Sequence, residues 1–219
     1  MKLDKSSMLL YAVTDRTWLK GRTLADVVEE AIKAGVTFLQ LREKNLEYDA
    51  FLQLAKEIKC VTDKYKIPYV INDNVQVAMA AGADGVHVGQ GDMSPKDVRK
   101  IIGPDKILGV SAQTVEQAVL AEESGADYIG VGSVFPTSTK LDAEAVSLET
   151  LKEICKAVSI PVVAIGGINK DNAIKLAGSG IDGIAVVSAI FAQENITAAA
   201  RELRDDTSRS SSAAAVIFS

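Results

Sequence analysis

The chain has 219 residues, 47% of them hydrophobic, which is enough apolar material for a sizeable core and excludes a disordered protein. Its 24 lysines and arginines stand against 29 aspartates and glutamates, a net charge of −5, so a nucleic-acid binder relying on bulk positive charge is excluded and any anionic ligand must be held by local groups. No apolar run approaches a membrane span and Met1-Lys2-Leu3-Asp4-Lys5 lacks the apolar core of a secretory signal, which together predict a cytoplasmic protein without a membrane partner.

Short apolar runs alternate with helical patterns along the chain, the mark of βα units that build a parallel sheet. The strands are predicted at Met8 to Thr14, Val36 to Arg42, Tyr69 to Asn72, Gly85 to Val88, Ile107 to Ser111, Tyr128 to Gly132, Val162 to Ile165 and Gly183 to Val187. Between them Leu24, Val27, Val28, Ala31 and Ile32 fall at helical spacing, as do Phe51, Leu54, Ala55 and Ile58. Thr114 and Gln117 have the spacing of a capping box, and Ser147 is a candidate N-cap. Gly82-Ala83-Asp84, Gly125-Ala126-Asp127 and Gly180-Ile181-Asp182 each end a helix and turn into a strand. Eight such units predict an α/β fold, a single (β/α)8 TIM barrel over residues 1–204. A doubly wound open sheet is disfavoured, because no Gly-x-Gly-x-x-Gly follows the first strand. The polar run from Asp205 sets off residues 205–219 as an appended tail, flexible or of cloning origin. Cys60 and Cys155 belong to no metal-ligand spacing and are expected reduced and buried.

In such a barrel, binding and catalytic groups gather where strands end. The second predicted strand runs into Gln40-Leu41-Arg42-Glu43-Lys44, where the two-residue period puts Gln40, Arg42 and Lys44 on one side. Either Arg42 pairs with a core carboxylate to plug the barrel, or it clamps an anion through its guanidinium fork with Lys44 as a second charge. Asp73 and Asp92 follow the third and fourth strands, and paired carboxylates beside a diphosphate suit magnesium; the alternative is that each caps the helix after it. Zinc is disfavoured, since His87 is the only histidine and is read as a hydrogen-bonded residue of the barrel interior. Ser111, with no histidine close in the pattern, is a ligand for polar groups more than a nucleophile. After the sixth strand, Thr137-Ser138-Thr139-Lys140 offers three hydroxyls and a cation to phosphate oxygens, or else is a polar surface loop. Gly166-Gly167 and Val187-Ser188 have the makings of a phosphate cup. Two anion sites imply two phosphorylated small molecules held together.

The motifs Tyr11-Ala12-Val13-Thr14-Asp15, Gln40 to Lys44, Ile71-Asn72-Asp73-Asn74, Gly85 to Asp92 and Gly132 to Lys140, in order between about Leu9 and Leu203, closely resemble those of the thiamine-phosphate synthase family. The resemblance implies a transferase that joins an aminopyrimidine methyl diphosphate to a thiazole phosphate, releasing diphosphate and forming thiamine monophosphate. It further implies that Gln40, Leu41, Arg42, Glu43, Lys44, Asn72, Ser111 and Lys140 bind the pyrimidine diphosphate, that Thr137, Ser138, Thr139, Gly167, Val187 and Ser188 receive the thiazole phosphate, and that Asp73 and Asp92 hold Mg2+. Arg42, Lys44, Ser111 and Lys140 are the residues expected to act in catalysis, by stabilising charge as the diphosphate leaves. One departure is Gln113, where the family commonly has histidine; glutamine hydrogen-bonds but does not change charge near neutral pH. Competing readings are a thiazole tautomerase, which would not need the full Gln-Arg-Lys set with two aspartates, and a noncatalytic barrel that carries phosphorylated metabolites.

Overall fold

A computed structural model describes residues 3–137 and 145–216. Eight parallel strands close into a barrel in the order of the chain: β1 Leu10–Val13, β2 Phe38–Leu41, β3 Tyr69–Asn72, β4 Gly85–Val88, β5 Ile107–Ala112, β6 Tyr128–Val131, β7 Val162–Ile165 and β8 Gly183–Val186. The first strand pairs with the last, Tyr11 standing opposite Ala185. Around the barrel lie α1 Leu24–Ala34, α2 Tyr48–Tyr65, α3 Val75–Ala80, α4 Pro95–Ile102, α5 Val115–Glu123, α6 Leu148–Ala157, α7 Ser188–Phe191 and α8 Ile196–Val216. Between β7 and β8 the helical layer shrinks to a 3-10 turn, Ala173–Leu176, in a stretch where the Asn172 side chain holds its own loop and glycines break the pattern at Gly178 and Gly180. The last helix continues through the polar run set apart above as a tail, as far as Val216, and Thr207 on it is buried.

Alternation along the strands divides the apolar residues into two cores. Outward-facing Leu39, Leu41, Ile71, Val86, Leu108 and Ile129 pack under the helices. Inward-facing Tyr11, Phe38, Val70, Ile107, Tyr128 and Val163 fill the barrel itself. The rings of Tyr11, Phe38 and Tyr128 meet edge-on or tilted, with centroids 4.5 to 5.8 Å apart. That packing needs a residue without a side chain at Gly109, where a Cβ would lie 2.2 Å from Tyr128 Cζ and 2.5 Å from His87 Nδ1.

At the opposite end from the strand tips, the residue before each even-numbered strand accepts a hydrogen bond from the first amides of the strand preceding it. Thr37 Oγ1 receives Leu10 N, Asp84 receives Tyr69 N, Asp127 receives Leu108 N and Asp182 receives Val162 N, all at 2.8 to 2.9 Å. Each aspartate also meets a cation: Lys59, Arg99 and Lys5 respectively. The Gly-Ala-Asp recurrence in the sequence is therefore a helix stop at a positive-φ glycine followed by a strand-start clamp. Both thiols are free, but only Cys155 is partly buried; Cys60 is exposed, because it falls off the face of α2 that buries Phe51, Ala55, Ile58 and Thr62.

Candidate active site

The carboxyl ends of the strands open into a cavity of about 260 Å³. Among the residues expected at a site, Gln40, Arg42, Asn72, Ser111, Thr137 and Gly167 line it, with Val187 and Ser188 on the far side. Arg42 follows the last residue of β2, and its backbone amide is tied to Thr14 Oγ1 at 3.1 Å, which fixes where the guanidinium starts. Leu41 points the other way and is fully buried under the helices, so its side chain does not reach the cavity. The Glu43 carboxylate accepts from Arg16 Nε at 2.8 Å and Lys44 is exposed; neither lines the cavity. Ser138, Thr139 and Lys140 lie outside the described residues.

Asp73 and Asp92 are not helix caps. Asn74 caps α3, accepting from Val77 N at 2.9 Å, and Ser94 caps α4, accepting from Asp97 N at 3.2 Å. Asp73 is held at a positive φ of 60°, a conformation that favours glycine, so local strain is accepted to aim its carboxyl. Burial, and then a hydrogen bond and charge repulsion from Asp92, push the Asp73 carboxyl up to about 6, against the pull of Asn72 and the Arg42 charge. Asp92 in turn accepts from Gly89 N at 2.7 Å. A carboxyl group whose ionisation is opposed by a neighbouring carboxylate forms with it a donor set suited to a hard divalent cation, which relieves that repulsion. Among the described residues no cluster of three or more metal-binding side chains occurs, so an ion held there would take its other oxygens from substrate and water.

Beneath the cavity runs a line of polar side chains in which Tyr11, Tyr128 and His87, which residue types alone did not assign to the site, join the expected Gln40 and Ser111. Gln40 Nε2 donates to the Tyr11 hydroxyl at 2.6 Å, and that hydroxyl meets the Tyr128 hydroxyl at 2.7 Å. The Tyr128 hydroxyl meets His87 Nδ1 at 2.9 Å, and His87 Nε2 meets Ser111 Oγ at 2.9 Å. Burial pushes both phenols well above their ordinary range, so they stay protonated. Gln90 closes the wall by donating to Ser111 O at 2.6 Å. The signal for these residues was present as parity: Tyr11 shares its face with Val13, and His87 sits two residues past Gly85, both facing inward.

On the β7 side, Gly166 and Gly167 adopt positive φ of 98° and 64°. A Cβ on Gly167 would meet Pro136 O at 2.4 Å, so the β6 and β7 loops press backbone to backbone and only glycine fits.

A closed parallel barrel whose strand tips gather an arginine, amides and hydroxyls around a cavity, with the Asp73 and Asp92 carboxyls not on its wall but next in the chain to its lining residues Asn72 and Gly91, defines a (β/α)8 enzyme for small anionic substrates. Residues 10–190 match the family model described as thiamine monophosphate synthase. The chain is 58% identical to the thiamine-phosphate synthase of Clostridium tetani, across 89% of this chain and 93% of that one, and 56% identical to that of Ruminiclostridium cellulolyticum, across 91% and 95%. Among solved structures it resembles the thiamine phosphate pyrophosphorylase of Pyrococcus furiosus, with a TM-score of 0.87 and 40% identity over 94% of this chain and 98% of that one. The chain belongs to the thiamine monophosphate synthase family.

Proposed function

We propose that this enzyme joins an aminopyrimidine methyl diphosphate to a thiazole phosphate, giving thiamine monophosphate and diphosphate. The observation that carries this reading is the division of one cavity: Gln40, Arg42, Asn72 and Ser111 on the β2 to β5 side, Gly167, Val187 and Ser188 on the β7 to β8 side. Two anionic substrates fit such a cavity with their reacting ends between the two groups, which turns a bimolecular encounter into a positioned one.

The chemistry asks for charge stabilisation more than for acid or base. Arg42 neutralises the leaving diphosphate from the cavity wall, and Lys44, which stands off that wall, and Lys140 are given the same task on sequence grounds alone. Asp73 and Asp92 would hold Mg2+, and the ion would supply further neutralisation at the same oxygens. The methylene carbon then takes the thiazole nitrogen as its new partner. Gly167, Val187 and Ser188 hold the thiazole phosphate through backbone amides and a hydroxyl. The thiazole tautomerase reading leaves the Arg42 and Asp73–Asp92 side without a use, and the carrier reading leaves the strained Asp73 without one.

No helix among the described residues is long and apolar enough to cross a membrane. With the net charge of −5, this supports a cytoplasmic enzyme with two phosphorylated small molecules, and neither nucleic acid nor membrane, as its partners. The test is to supply both substrates with Mg2+ and follow diphosphate and thiamine monophosphate together; binding of both without turnover would favour the carrier.

A further inference from the structure

We propose that Gln40, Tyr11, Tyr128, His87 and Ser111 form one proton-ordered relay across the barrel, which holds His87 as its neutral Nε2–H tautomer and turns the Ser111 hydroxyl proton into the cavity. The tautomer stands on geometry alone, and its consequence for catalysis rests on the function proposed above.

The order follows from one fixed point. Gln40 Nε2 is an amide nitrogen, a donor only, and it lies 2.6 Å from the Tyr11 oxygen. Tyr11 has a single proton, and its other hydroxyl neighbour is Tyr128 at 2.7 Å, so the proton goes there. With Tyr11 donating on that side, Tyr128 directs its own proton to His87 Nδ1 at 2.9 Å. A ring nitrogen that accepts leaves the proton on the other one, so Nε2–H donates to Ser111 Oγ at 2.9 Å. Ser111 accepts from within the barrel and donates outward, toward diphosphate oxygens or a pyrimidine ring nitrogen, both of which are acceptors. No buried side-chain nitrogen or oxygen among the described residues lacks a partner, in keeping with a relay satisfied from end to end. An amide turned over at Gln40 would reverse every step, protonate Nδ1 and leave Ser111 presenting lone pairs. His87 is on this account a positioning residue, as are Tyr11 and Tyr128.

His87 is the only histidine, so isotope-labelled imidazole nitrogens give a single set of nitrogen–proton correlations that reports the tautomer directly. Near neutral pH the wild-type protein should show a protonated Nε2 and an unprotonated Nδ1. Tyr11→Phe should give mixed tautomers, because it cuts Tyr128 off from the Gln40 amide. Tyr128→Phe should give mixed tautomers and lower kcat about tenfold, the worth of one hydrogen bond, with KM for the thiazole phosphate unmoved. A protonated Nδ1 in the wild type, an unchanged spectrum in Tyr11→Phe, or an unchanged spectrum or kcat in Tyr128→Phe overturns the relay. The wild-type spectrum decides the tautomer even where a variant fails to fold. An inactive wild type with the expected spectrum would refute the proposed reaction and leave the tautomer standing.

Discussion

The carboxyl groups of Asp73 and Asp92 stand within hydrogen-bonding reach of each other across the tips of β3 and β4, and Asp73 is pushed up to about 6 by burial and by that neighbour. A carboxyl raised in the folded state from 3.8 stabilises the fold fully below 3.8 and loses that contribution as pH rises through about 6. Without metal, the wild-type protein should therefore lose about 1 kcal/mol between those values, a figure discounted because the group is partly open to solvent. Asp73→Asn should remove this slope, melt higher than wild type above pH 6 in chelator, and no longer gain stability from added Mg2+. Parallel melting curves for the two proteins would contradict the assignment.

Arg42→Ala should depress turnover about 100-fold or more, mainly through handling of the diphosphate, as removal of a charge-stabilising donor does. Ser188→Ala should mainly raise the KM for the thiazole phosphate, by about tenfold. Steady-state kinetics with each substrate varied in turn separate the two, and a reversed pattern would refute the division of the cavity.

Gly109→Ala should cost about 1 to 3 kcal/mol, because a Cβ there is driven into Tyr128 and His87. Denaturant unfolding measures it. Activity of the folded fraction should fall as well, since the same push separates His87 from its partners; full activity per folded molecule would show that this packing does not matter to the site.

Asp127→Ala works at the other end of the barrel. It removes the acceptor of Leu108 N and the partner of Arg99 at 2.6 Å, and should destabilise by about 2 kcal/mol while leaving both KM values unchanged. A change in KM would mean that the strand-start clamps reach the site.

The barrel was legible because its strands are short apolar runs between helical periods, and the site was legible wherever a polar residue stood at a strand end against that background, as Arg42 and Ser111 do. Less legible were roles that depend on direction. Leu41 belongs to the same motif as Gln40 and Arg42 yet faces the helices, as its parity required. Asp73 and Asp92 resembled caps until Asn74 and Ser94 were seen to fill those positions. Gln117 matches a capping box, but its side chain accepts from Gln113 N rather than from the cap residue itself. Tyr11 and Tyr128 read as ordinary strand formers, because what joins them is a contact between residues 117 apart in sequence.

The central claim is that one cavity brings a departing diphosphate beside a second substrate with the help of Arg42 and the Asp73–Asp92 pair. It is tested most directly by mixing purified protein with both phosphorylated substrates and Mg2+ and measuring diphosphate and thiamine monophosphate in the same samples. Equal amounts of the two products, abolished by chelator and by Asp92→Ala, are the predicted result. Turnover that is indifferent to the Asp92 change, or diphosphate release without thiamine monophosphate, would contradict it.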